Sequence, residues 1–513
     1  MKKILLVLTV FVGVLFYSPF AQVSSCKAEV TDYLQMFEDK VTEITLDNGL
    51  NFLVIERHEI PIVSFVTFVN VGGVNEKTGQ TGISHMLEHM AFKGTKRIGT
   101  KDWEKEKQVL QEMEQAYKDL KRESSKSDPD SEELKAKRNR FQKLKKKAGD
   151  LVKPNEFSKI LEGNGANNLN AGTTTDATLY FSSLPANRAE LWFNLESDRL
   201  MNPVFREFYT EKDVVLEERR TRVESNPTGK LIERLQAMAY LAHPYGQPVI
   251  GWRSDIELLA KSQLRELYNT YYVPQNITIA VAGDINPEQV KEWAKLYFGP
   301  FEKGPEPPKV TVEEPEQEGK RSFKINSMRK PVYVRAYHAV KQGNPDFLAL
   351  DLLASVLSRG RTSRLYSSLV QEKRLAAKIS AFNGFPGSKF PSLFAFFAVP
   401  NAGVELSEIA EGIDKQLQKV KDGEITAEEL ERAKTKARAS LVRRLDSNMG
   451  LAKTFAKAQG QRGDWRKVFT DLQKLQKVSL DDIQKVAEKY LSKENSIVGK
   501  LVNIKPDQNI LGR

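Results

Sequence analysis

In "TGISHMLEHMAFKGT", residues 81–95, two of the chain's five histidines and a glutamate fall within five positions: His85, Glu88 and His89. On a helix, positions i and i+4 share a face. His85 and His89 would therefore present two imidazoles to one point, with Glu88 leaning toward the same side. Two imidazoles beside a carboxylate suit a divalent transition metal, zinc first. The competing interpretation is an amphipathic helix whose histidines make ordinary hydrogen bonds. A catalytic zinc takes three protein ligands and keeps one position open. The third ligand has candidates in "YTEKDVVLEERRTRVESNP", where Glu211 and Glu218 are seven residues apart and share a helix face. One of them would bind the metal and the other would support it. Glu217 competes with Glu218 on pattern alone, and plain acidic residues on a surface helix fit the same segment.

The elements that must position these residues are legible in outline. "TEITLDNGLNFLVIERHEIPIVSFVTFVNVGG" alternates as strand, turn, strand, with Asp47-Asn48-Gly49 as turn chemistry. A helix carrying the histidines follows. From about 102 to 154 the pattern changes: Leu110, Met113, Tyr117 and Leu120 follow helical spacing, and Leu134, Phe141, Leu144 and Leu151 do so more loosely. "SSKSDPDS" lies between, so two antiparallel helices, a charged hairpin, interrupt the domain. "GANNLNAGTTTDATLYFSSLP" returns to a half-buried strand pattern. Residues 301–320, rich in Pro and Glu, form the best linker. Beyond it the pattern repeats: "LDDIQKVAEKYLSKENSIVGKLV" echoes "SQLRELYNTYYVPQNITIAVAGD", and "TAEELERAKTKARASLVRRLDSN" echoes "TEKDVVLEERRTRVESNP". Thr426 and Glu429 form a capping box. The expected fold class is α+β. Two homologous sandwich-like domains, each a mixed or antiparallel sheet packed with helices, cover 42–300 and 321–513, and the hairpin is inserted in the first. His58, His243 and His338 have no spaced partner and are expected to be structural.

The totals narrow the function classes. With 513 residues, 40% of them hydrophobic, the chain is globular with more than one core. The net charge of +11 invites nucleic acid. It is concentrated, however: residues 135–147 hold eight Lys/Arg and no acid, which is the mark of a solvated face, and no nucleic-acid motif accompanies it. A membrane lipid or a partner gripping this basic hairpin is the other interpretation. At the N-terminus, "MKK" precedes the apolar "ILLVLTVFVGVLFYSPFA", a secretory signal expected to end at residue 25. Val23-Ser24-Ser25-Cys26 resembles a lipoprotein processing site, which would put a lipid anchor on Cys26 and hold the protein at a membrane in the periplasm. A plain cleaved signal and an uncleaved anchor remain the alternatives, and all three imply export. Cys26 is the only cysteine, so no internal disulfide exists.

His-x-x-Glu-His is the inverzincin motif. Together with "GISHMLEHMAFKGT", "LNAGTTTDATLY", "EKDVVLEERR", "HPYGQPVIG" and "VAGDINPEQV", it resembles the pitrilysin/insulinase family of zinc metallopeptidases. The closest likeness is to the two-domain branch that includes the mitochondrial processing peptidase and bacterial relatives. The resemblance covers nearly everything from residue 42 onward except the hairpin. It implies a zinc metalloendopeptidase holding one Zn2+ per chain through His85, His89 and Glu218. Glu88 would be the general base and Glu211 the supporting acid of the catalytic group. The family's spacing from the second histidine to the distal ligand is shorter, and the hairpin accounts for the excess. The resemblance also implies that an extended peptide substrate is bound by strand addition at Asn170-Ala171. One departure stands out. Active members carry an Arg and a Tyr seven residues apart in the second domain, where "SRLYSSLVQEKRLAAKIS" has Gln371 and Lys378. The resemblance therefore implies a related chain that supplies the Arg-Tyr pair in a heterodimer, with a homodimer as the second possibility. A non-catalytic scaffold of the same fold is the alternative function.

Overall fold

The computed structural model describes residues 30–503, with side chains from residue 34. The signal segment and Cys26 lie outside the described residues. Two sheets carry the fold. The first contains β1 (Val41–Thr45), β2 (Asn51–Glu56), β3 (Ile62–Val69), β4 (Asn167–Thr173), β5 (Thr178–Pro185) and β6 (Ile277–Gly283), in the order β1-β2-β6-β3-β5-β4. The second contains β7 (Arg321–Ser327), β8 (Val332–His338), β9 (Ala376–Phe385), β10 (Leu393–Pro400) and β11 (Ser496–Asn503), in the order β7-β11-β8-β10-β9. From β2 onward the two orders are the same. In each sheet one pair is parallel, β2 with β6 and β7 with β11, and the other pairs are antiparallel. The two-domain α+β architecture expected from the repeated patterns is thus present as a repeated topology.

The segment that looks like one half-buried strand divides into β4 and β5. Thr174 closes the turn between them: its amide donates to Ala177 O at 2.8 Å, and its hydroxyl accepts the amides of Asp176 and Ala177. A Thr side chain that mimics a backbone turn ends the strand where alternation alone would continue it.

The helices that matter here are α1 (Ile83–Met90), the hairpin pair α2 (Trp103–Ser124) and α3 (Ser131–Asp150), α4 (Phe208–Arg219), α5 (Pro227–Ala239), α6 (Pro345–Ser358), α7 (Ala427–Leu445) and α8 (Asn448–Arg462). One face of the first sheet, with Phe52, Val54 and Phe65, packs on the helices of its own half. The opposite face, with Leu53, Ile55, Val66 and Phe68, packs on the second half, where α8 lies across β3 and β6. α5, from the first half, does the reverse. Its Leu231, Leu235 and Ala239 pack on Val332, Val334, Ile497 and Leu501 of the second sheet. Each half therefore covers the other's sheet with one helix. This is why β6 is buried along its whole length and lacks the alternation of a solvent-facing strand.

The stretch 301–320 forms neither helix nor strand, yet side-chain hydrogen bonds pin it to the rest of the chain. Glu314 accepts the amides of Leu241, Ala242 and His243 at 2.7–3.0 Å, and Gln317 donates to Glu494 O and Ser496 O.

Candidate metal centre

α1 begins where Gly82 adopts φ +84°, a left-handed conformation that favours glycine. A Cβ there would lie 2.6 Å from Ile250 O, so the close approach of the "HPYGQPVIG" loop also requires it. Glu76 caps the start, accepting the amides of Gly82 and Ser84 at 2.8 and 2.7 Å. A carboxylate at this end also meets the positive pole of the helix. Ile83, Met86, Leu87 and Met90 are buried in the core, which turns His85 and His89 toward α4.

His85 Nε2 lies 3.6 Å from Glu218 Oε2, and His89 Nε2 lies 3.5 Å from the same oxygen. The three atoms fall within 4.8 Å of one another, and among the described residues this is the one cluster of its kind. Two ligand atoms bound tetrahedrally at about 2.0–2.1 Å from one zinc sit roughly 3.4 Å apart. The residues therefore fit the ion. Buried Glu218 Oε2 has no hydrogen-bond partner among the described residues, which leaves it free to face a cation. The other oxygen of Glu218 is occupied by Arg222 at 2.8 Å. Glu217, its rival by pattern, is exposed and pairs with Arg220.

Glu211 accepts from His89 Nδ1 at 3.0 Å and from Lys93 Nζ at 2.6 Å. Nδ1 of His89 is thereby occupied, leaving Nε2 for a metal. Glu88, on the same helix, faces β4 at Thr173, and its buried Oε2 has no hydrogen-bond partner among the described residues. Burial raises the Glu88 carboxyl above its usual range, an effect Thr173 partly offsets. Burial, with the neighbouring His89 charge, pushes His85 down to about 4. Burial acts the same way on His89, but its hydrogen bond to Glu211 and the facing carboxylate of Glu218 outweigh this and hold it up at about 9.

β4 is the edge strand of the first sheet. Asn170 there is exposed and Ala171 half-buried, and the Asn170 side chain accepts the Ala171 amide at 2.8 Å. In the second half, Gln371 and Lys378 are exposed, the latter on edge strand β9. The other three histidines lie elsewhere: His58 bonds Asp284, His243 Nδ1 accepts the Tyr245 amide, and His338 ends β8. Sequence reasoning missed Lys93, Arg222 and Thr173. The first two stand four residues after His89 and Glu218, a helical spacing that marks them as neighbours. Thr173 carried no such signal.

The model of the insulinase family, peptidase family M16, matches residues 52–124 and 145–252. The model of the peptidase M16 inactive domain matches residues 259–437. The first of these leaves out only 125–144 within the hairpin region, so α2 lies within the matched stretch. The chain is 29% identical over 476 residues to the zinc protease PqqE of Helicobacter pylori, covering 90% of this chain and 93% of that protein. It is 22% identical over 494 residues to a probable mitochondrial-processing peptidase subunit beta of Arabidopsis thaliana, covering 92% of this chain and 80% of that protein. A crystal structure of a protease from Helicobacter pylori superposes with a TM-score of 0.75 at 27% identity, covering 90% of this chain and 99% of that one.

Proposed function

The chain belongs to the insulinase family of peptidases, and from that premise we propose that it is a zinc-dependent endopeptidase acting on peptides or unfolded segments. The observation that carries this reading is the convergence of His85 Nε2, His89 Nε2 and Glu218 Oε2 on one point beside Glu88. Zinc held there by these three residues would supply Lewis acidity toward water and the scissile carbonyl. Glu88 takes the proton of the attacking water on its free carboxylate oxygen and later gives it to the leaving amine. Glu211 holds the tautomer and ring orientation of His89, and Lys93 holds Glu211. The extended substrate adds as a strand to β4 along Asn170-Ala171. There, main-chain hydrogen bonds bind with little regard to side chains, and Thr173 of the same strand brings the scissile bond beside Glu88.

The reading includes a partner. Gln371 and Lys378 stand where an Arg-Tyr pair would reach the carbonyl of the substrate, and such donors contribute about 3 kcal/mol where they have been removed. A related chain supplies them in a heterodimer. The relative from Arabidopsis thaliana is itself described as a subunit. Export rests on the basic and apolar start of the sequence, and a lipid on Cys26 would hold the protein at the membrane facing the periplasm. The second reading, a scaffold without activity, draws on the missing pair alone.

The test is zinc content, by elemental analysis of the chain from Lys27 onward, beside turnover of a quenched peptide. About one zinc per chain is expected both in the parent and in Glu88→Gln. Turnover is expected to fall by about 10²–10⁴-fold in the variant. Zinc without turnover in the parent points to the absent partner. A parent without zinc rejects the peptidase reading.

A further inference from the structure

The repeat carries the arrangement of elements around the metal centre into the second half. α6 stands in the order of elements where α1 stands, β9 where β4 stands, and α7 where α4 stands. Between α6, β9, α7 and α8 lies a cleft of about 840 Å³. In the first half, α1 turns Glu88 toward β4. Here α6 turns Asp351 toward β9, where Asn383 Nδ2 donates to it at 3.0 Å. The rest of the chemistry differs. Arg359, Arg444, Lys453 and Lys457 line the cleft, and none is paired with a carboxylate among the described residues. Lys453 rests over the ring of Phe181. The lining has two carboxylates. Asp351 is the first, and Asp471 is already paired with Arg462.

Among the described residues, three buried polar atoms of this lining have no partner: Ser355 Oγ, Asn383 Oδ1 and Gln461 Oε1. Ser355 is only 8% exposed. The orientation of both amides follows from their donors. Asn383 Nδ2 bonds Asp351 and Phe347 O, and Gln461 Nε2 reaches Asp176 Oδ2 at 3.4 Å. Two carbonyl oxygens are thus left for an incoming N–H, and leaving such groups unmet is costly.

A ligand must then bring both negative charge and N–H donors. A phosphate or a fatty acid brings only the first. A peptide with acidic side chains brings both, and its apolar parts meet Phe347, Leu348, Leu441 and Leu472 of the same lining. We infer that this cleft of the second half binds an acidic peptide segment, its carboxylates held by Arg359 and Arg444 and its main-chain N–H groups by Asn383 and Gln461. The ligand class rests on the peptidase reading; binding here needs neither zinc nor turnover.

The test uses the full chain carrying Glu88→Gln, so that nothing is cleaved. A labelled peptide rich in Glu and its Gln counterpart are titrated by fluorescence anisotropy at low salt, where charge pairing is least screened. Roughly tenfold tighter binding of the Glu peptide is expected. Arg359→Gln with Arg444→Gln should abolish that preference while zinc content and melting temperature hold. Should the pair of substitutions impair folding, Lys457→Gln at the exposed rim should lower the preference in part. No preference in the starting protein, or a preference untouched by these changes, overturns the inference. Displacement of the peptide by an equal concentration of inorganic phosphate overturns the peptide class. The peptidase reading fails by a different measurement, zinc and turnover in the chain that keeps Glu88.

Discussion

Glu211 stands beside the three converging atoms without joining them, and its contribution passes through His89 Nδ1. Glu211→Gln keeps the shape but weakens that acceptor. Losses of this kind cost about 10–100-fold in metal affinity, measured by competition with a chelator; unchanged affinity would leave Glu211 no positioning role. In the second half, burial raises Asp351 to about 6. Its folded value lies above its unfolded one, so the folded state binds the extra proton. The contribution of Asp351 to stability is greatest below the unfolded value and is lost as pH rises from about 4 through about 6. Asp351→Asn removes this dependence. Relative to the parent, the variant should gain up to about 3 kcal/mol at about pH 8 compared with about pH 4, by urea denaturation at both. An equal effect at the two pH values rejects the assignment.

At the scale of elements, the hairpin bears on the site. Tyr117 of α2 and Phe141 of α3 pack on Tyr209 of α4, the helix that carries Glu211 and Glu218. Its root is fixed by a buried pair. Arg206 donates to Glu106 of α2 at 2.8 Å and also to the carbonyls of Lys93, Thr95 and Ile98 in the loop after α1. A Cβ on Gly94 or Gly99 would come within 2.8 or 2.7 Å of that guanidinium. Glu106→Ala leaves the buried cation uncompensated and should cost about 3–5 kcal/mol by denaturant unfolding; a loss below about 1 kcal/mol would mean the root is not held this way. Helical spacing alone revealed two amphipathic helices here. It did not reveal what they cover, because periodicity marks an apolar face without naming its partner.

At the scale of the whole molecule, the exchange of α5 and α8 makes the halves interdependent. Gly460 of α8 sits so close to the first sheet that a Cβ would fall 2.2 Å from the Phe68 ring. Asp176, in the turn between β4 and β5, accepts from Tyr245 at 2.5 Å and from the amides of Ser388 and Lys389 at 2.8 and 3.2 Å across the halves. Asp176→Ala strands those donors and should lower stability by about 3 kcal/mol; unchanged stability would mean that these bonds do not hold the halves together. By itself the sequence determined what is local or repeated. It placed His85, Glu88 and His89 on one turn of helix, the hairpin, the repeated halves and the family, because helical and strand periods act over a few residues and motif order needs no coordinates. Tertiary structure decided what depends on contacts between distant segments. Glu218 rather than Glu217 turns to the histidines because α4 buries one face on α1 and leaves the other to solvent. Each sheet borrows a helix from the opposite half, since two apolar faces need two covers. The unpaired cations of the second cleft come together because the end of α6, α7 and α8 converge there; helical spacing relates Lys453 to Lys457, but no spacing relates that pair to Arg359 or Arg444.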